Sequence, residues 1–116
     1  MNIALQETTP TLIPKVFVNL GSLERIPLGE GREFLVDSEE VVVFRTRENQ
    51  FYALQAKCPH RNGPLADGLI GDGKVICPYH SYKFELSSGQ PLGNDCAALK
   101  TYNVQISEHG DILLYC

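Results

Sequence analysis

A chain of 116 residues with 43% hydrophobic content is long enough for one compact domain with one core, and too short for a large cleft enclosed within a single subunit. Ten Lys and Arg stand against fourteen Asp and Glu, a formal charge of -4 with no basic run, which counts against a nucleic-acid partner. No apolar stretch approaches the ~20 residues of a membrane span, and Met1 to Pro14 has neither a basic start nor a continuous apolar run, so a soluble cytoplasmic protein with no membrane partner is expected.

Residues 1–14, containing Thr and Pro, read as a flexible arm, and 15–116 as the folded domain. Lys15 to Leu20, Glu33 to Val36, Val41 to Phe44 and Phe51 to Ala56 are short runs rich in Val, Phe and Tyr, divided by turn clusters such as Asp37-Ser38-Glu39 and Arg47-Glu48-Asn49. Ser22 to Ile26 is at most a short helical turn. Further on, Tyr82, Phe84 and Leu86 alternate with Lys83 and Glu85, and Tyr102, Val104 and Ile106 alternate with Asn103 and Gln105, each set reading as a half-buried strand. Ile112 to Tyr115 follows a turn at Glu108-His109-Gly110-Asp111. No segment carries a sustained helical period, so the expected fold is all-β. One stretch breaks the rhythm: Cys58 to Gly73 holds two Pro and four Gly with little periodicity, and so long an irregular loop in so small a domain points to function.

Cysteines bound that loop. Cys58-Pro59-His60 and Cys77-Pro78-Tyr79-His80 give Cys-x-His, then Cys-x-x-His, using two of the four cysteines and two of the three histidines. Scattered at random, these residues would form each short pair roughly 0.1 times and both together roughly 0.01 times. Cys96, Cys116 and His109 have no such partners and read as ordinary packing or surface residues. In a reducing compartment, two thiolates and two imidazoles suit zinc or an iron-sulfur cluster better than a disulfide. Zinc sites normally take Cys pairs and then His pairs, whereas here each loop supplies one of each. That pattern suits two metal atoms, with both cysteines on one iron and both histidines on the other. Zinc in a folding module remains the alternative.

With Cys-Pro-His and Cys-Pro-x-His, the chain from about Lys15 to Tyr115 resembles the Rieske [2Fe-2S] family. The resemblance implies an antiparallel β-sandwich whose cluster-binding subdomain is formed by two loops. It also implies that Cys58 and Cys77 ligate an inner iron, and His60 and His80 an outer one near solvent. Pro59 and Pro78 would stiffen the loops, and Gly63, Gly68 and Gly73 would let backbone amides approach the bridging sulfides. High-potential members carry an extra cysteine in each loop, joined as a disulfide; the matching positions here are Gly63 and Tyr79. They also place Ser and Tyr hydroxyls where this chain has Tyr82 and Phe84. Fewer donors to the sulfurs argue for a low reduction potential.

The stretches Cys58 to Gly68 and Lys74 to His80, with Lys100-Thr101-Tyr102, resemble small subunits of NAD(P)H-dependent assimilatory nitrite reductases. That implies one-electron transfer in nitrate assimilation, with a large siroheme-containing reductase subunit as partner. Ferredoxins of ring-hydroxylating dioxygenases, whose partners are an oxygenase and its reductase, share the loops and are the alternative. Gly68 to Lys74 begins like a phosphate-binding loop, but Val75 replaces the required Ser or Thr and no helix pattern follows. The chain also lacks a dinucleotide fingerprint, so other polypeptides must supply the source and sink of electrons. Lys57, Arg61 and Lys83 lie beside the candidate ligands, as scattered surface charges or as a rim for an acidic partner.

Overall fold

The uninterrupted run Val41-Val42-Val43-Phe44 needs cover on both faces, because successive side chains of a strand point to opposite sides. In the computed structural model, which describes residues 17–115, this run is the middle of strand β3 (Glu39–Arg45) and all four residues are fully buried. The arm expected at 1–14, the first two residues of the first expected strand and Cys116 lie outside the described residues. Val42 and Phe44 enter one apolar cluster with Leu54, Leu65, Val75, Phe84 and both motif cysteines. Val41 and Val43 enter a second with Leu20, Ile26, Ala53, Ile112 and Leu114. One strand thus divides the molecule into two cores.

The other strands are β1 (Phe17–Ser22), β2 (Glu30–Val36), β4 (Phe51–Gln55), β5 (Leu69–Gly71), β6 (Lys74–Ile76), β7 (Lys83–Glu85), β8 (Pro91–Leu92), β9 (Thr101–Ile106) and β10 (Asp111–Tyr115). The helical content among the described residues is two 3-10 turns, Leu23–Arg25 and Leu65–Asp67, and no helix there is long and apolar enough to cross a membrane. A six-stranded sheet runs β1-β10-β9-β4-β3-β2 and a four-stranded sheet β5-β6-β7-β8, with every paired neighbour antiparallel. The all-β expectation holds. Residues of β1 and β10 share the second core with β3 and β4, so the larger sheet bends over on itself.

Two expectations are corrected. The stretch from Cys58 to Gly73 is not wholly irregular: it contains the turn at Leu65–Asp67 and strand β5. β5 and β6 form a hairpin through Asp72 and Gly73, both with positive φ, the two-residue geometry that matches strand twist. Tyr82 and Leu86 flank β7 instead of lying within it.

The smaller sheet is an insertion. β4 and β9 are direct neighbours, pairing Ala53 with Tyr102 and Leu54 with Thr101, so the chain leaves the larger sheet and returns at the same place. Gln55 closes this neck. Its backbone N–H donates to the Lys100 carbonyl at 2.8 Å, its side-chain oxygen accepts from the Lys100 N–H at 2.7 Å, and its side-chain amide donates to the Lys57 carbonyl at 2.8 Å. All four candidate ligands lie beyond the neck, and core residues of β3 and β4 extend to meet them.

Candidate metal centre

Each motif loop is an extended chain that must reverse in a few residues, and both reverse in the same way. The Cys58 N–H donates to the Gly63 carbonyl at 2.8 Å, and the Cys77 N–H to the Tyr82 carbonyl at 2.7 Å. In each loop the residues three and four places after the cysteine are left-handed: Arg61 and Asn62 at φ 65 and 56°, His80 and Ser81 at φ 64 and 58°. In each, the N–H two places after the cysteine is directed at its sulfur, His60 at Cys58 and Tyr79 at Cys77, the latter at 3.4 Å. Proline follows both cysteines, and its fixed φ suits the extended step into the turn.

The loops also pack across one another. The residue two places after each cysteine lies over the residue that closes the other loop. The His60 ring stacks on Tyr82 at 4.2 Å and 13° from parallel. The Tyr79 ring crosses Gly63, where an added Cβ would stand 3.1 Å from it and 2.7 Å from the Cys77 sulfur. Gly63 is therefore glycine for space. Gly63 and Tyr79, read from sequence as the sites of the missing disulfide, are in contact, with an aromatic ring where a bridge would lie.

The cross-packing sorts the four side chains by kind, although each loop supplies one of each. Cys58 and Cys77 are fully buried free thiols, close enough to hydrogen-bond. Burial pushes the Cys58 thiol up to about 11, the His60 N–H opposes this, and the neighbouring Cys77 thiol adds to it. On the solvent side, the His60 and His80 rings meet edge to face at 5.2 Å, with His60 half-buried and His80 exposed. The His60 Nδ1 is buried with no hydrogen-bond partner. Among the described residues, no group of three or more His, Cys, Asp or Glu side chains converges to hold a single ion. Two pairs side by side suit two metal atoms better than one.

Other residues singled out from sequence behave differently. The amides directed at sulfur belong to His60 and Tyr79 and not to the glycines; the Gly68 N–H donates to the Leu65 carbonyl, and Gly73 serves the β5–β6 turn. Phe84 is fully buried in the same cluster as both thiols. Lys57 is paired with Glu33 at 3.1 Å, which raises its pKa, whereas Arg61 and Lys83 are exposed. Gly68 to Lys74 forms β5 and its turn, with no helix following. Two further neighbours stand out. Tyr82, which the resemblance sets near the sulfurs in place of a hydroxyl donor, instead presents its ring to His60. Cys96, read as isolated, packs against the thiol-bearing core and lines a groove of about 690 Å³ with His60, His80 and Tyr82.

Residues 17–103 match the Rieske [2Fe-2S] domain family. The biphenyl dioxygenase ferredoxin subunit of Pseudomonas sp. strain KKS102 is 31% identical over 100 residues, covering 84% of this chain and 90% of the relative. The nitrite reductase [NAD(P)H] of Emericella nidulans is 37% identical over 84 residues, covering 65% of this chain and 8% of the relative. A solved structure named for an NADH-dependent nitrite reductase small subunit from Mycobacterium tuberculosis has a TM-score of 0.82 at 20% identity, covering 90% of this chain and 97% of that one. Several relatives are far longer, and the chain spans only 13% or 10% of them.

Gly63→Ala tests the crossing of the loops. Its methyl group would press on the Cys77 sulfur and the Tyr79 ring, a misfit expected to cost about 1–3 kcal/mol in denaturant unfolding. Gly71→Ala, which meets nothing within 4 Å, serves as the neutral control.

Proposed function

The chain belongs to the Rieske [2Fe-2S] domain family, whose cofactor is a Rieske-type cluster, and we propose that Cys58 and Cys77 hold one iron of that cluster and His60 and His80 the other. The observation that carries the assignment is the sorting of the four side chains into a buried thiol pair and an outer imidazole pair. Three features of the chain fit the group. The His60 Nδ1 is buried without a partner, as a ligating nitrogen would be before metal is counted. Burial raises the Cys58 thiol to about 11, so near neutral pH it stays protonated unless a cation offsets the lost hydration. Bare Gly63 leaves the Cys77 sulfur uncovered by a Cβ. The zinc alternative loses ground, because one ion would need three or four of these groups around a single point.

When bound, the cluster takes up and returns one electron. The protein is a Rieske electron-transfer domain. Its own residues exclude water from the sulfurs by packing Phe84, Leu65 and Val75 around them, and they leave His80 exposed at the tip. Electron transfer falls steeply with distance, so a partner should dock over the histidine edges.

For the partner, our reading is the large subunit of an NAD(P)H-dependent nitrite reductase in nitrate assimilation, in the cytoplasm. It is supported by the loop sequences and by the likeness to the Emericella enzyme. A second reading, a ferredoxin serving an oxygenase, is supported by the biphenyl dioxygenase ferredoxin, which aligns over nearly its whole length.

Three outcomes are expected. Cys58→Ser and Cys77→Ser yield colourless protein without iron, and Cys96→Ser stays red-brown with full iron; iron retained in Cys58→Ser and lost in Cys96→Ser would overturn the ligand set. Voltammetry places the midpoint toward the low end of the Rieske range, on the order of -150 mV, since Phe84 offers the sulfurs no hydroxyl; a value above roughly +100 mV contradicts this. Titration with a large nitrite reductase subunit protects the loop amides from hydrogen exchange, and charge reversal at Arg61 or Lys83 slows electron transfer to an acidic partner surface. Protection by an oxygenase alone selects the ferredoxin reading.

A further inference from the structure

An imidazole that binds metal through one nitrogen still has to be told which way its plane lies. The torsion that turns the ring about its Cβ–Cγ bond is broad and roughly two-fold, so backbone geometry alone leaves it loosely set. Among the described residues no hydrogen bond to the His60 ring settles it, and Nδ1, the nitrogen assigned to metal, has no other partner. The Tyr82 ring does face it, 4.2 Å away and 13° from parallel. Tyr82 is itself fixed twice. Its carbonyl accepts the Cys77 N–H at 2.7 Å, so it closes the second loop, and its ring packs on the core that contains both thiols. His80 meets His60 only edge to face, a contact that leaves the His60 plane free to tilt about the shared edge.

From this arrangement we infer that Tyr82 is the positioning residue for His60: its ring, held by the second loop, sets the plane in which the first loop's imidazole presents itself to iron. The inference rests on the assignment of His60 as a ligand. It separates the role of the ring from that of the hydroxyl: Tyr82 lines the groove beside both histidines, and among the described residues its hydroxyl has no hydrogen bond to His60, His80, Cys58 or Cys77. A flat side chain at position 82 is what the arrangement requires.

The test compares wild type, Tyr82→Phe and Tyr82→Leu, each purified with its cluster from cells grown on 15N-labelled histidine. Pulsed EPR of the reduced proteins reads the couplings of the two ligand nitrogens, and iron content is measured in parallel. Phenylalanine keeps the plane and removes the hydroxyl; leucine keeps apolar bulk and removes the plane. The expected result is that Tyr82→Phe reproduces the wild-type couplings, whereas Tyr82→Leu shifts those of one histidine and leaves the other near its original values. If Tyr82→Leu instead loses its iron, full iron and unchanged couplings in Tyr82→Phe still support the inference. It is overturned if Tyr82→Leu holds full iron with wild-type couplings, or if Tyr82→Phe departs from wild type as far as Tyr82→Leu does. Absence of a two-histidine signal in the wild type would sink the ligand assignment itself, an outcome distinct from failure of the Tyr82 variants.

Discussion

Two sulfur atoms lie where water does not reach, and the rest of the site follows from making that position tenable. A thiolate buried in apolar surroundings is costly unless it is given donors and a cation. The chain supplies one backbone N–H to each sulfur, from His60 and Tyr79, and leaves the larger share to metal. Under the proposed ligand set, metal binding and ordering of the tip are coupled, as in other proteins whose ligands must be deprotonated to bind. The imidazoles bear the opposite demand. In the proposed ligand set they touch both the metal and the outside, and the two loops cross so that the sulfurs fall inward and the rings outward.

The crossing depends on a repeated backbone form with different side chains hung on it. Both loops share the closing bond to the fifth residue and the left-handed pair before it, yet the histidine is the second residue after cysteine in one loop and the third in the other. At the second position of the later loop stands Tyr79, whose ring covers Gly63. The unequal spacing of the motif follows: with both histidines at equal positions, one imidazole would lie over Gly63 instead of beside its partner. Left-handed backbone is costly for most side chains, and histidine and asparagine tolerate it better than most, in keeping with His80 and Asn62 at those positions.

The sequence was legible where chemistry or period is carried by neighbours along the chain. The Cys-His spacing pointed to the centre, and the Val41 to Phe44 run and the alternation from Tyr102 to Ile106 marked true strands, the latter with half-buried residues on one side. It was least legible in β5, β6 and β8, which are two or three residues long and show no period. Asp72-Gly73 is a strong hairpin signal, masked by the prolines and glycines around it. The resemblance sets Gly63 opposite Tyr79, but neither the ring that crosses Gly63 nor the stacking of Tyr82 on His60 is legible in the residues themselves. These contacts arise between loops that are distant in sequence, and nothing local distinguishes a tyrosine facing a core from one facing a histidine.

The pairing of β4 with β9 also bears on chain entropy. Bringing together the ends of a flexible segment of about 45 residues costs roughly 3 kcal/mol beyond a constant, by the logarithmic dependence on length. Here that closure is made by the larger sheet, which has its own core in Leu20, Ile26, Val41, Val43, Ile112 and Leu114. The inserted segment starts from tethered ends, held by Gln55 and Lys100, and its two loops search for each other within a confined volume. The sheet acts as a clasp that raises the effective concentration of one loop about the other before any metal arrives.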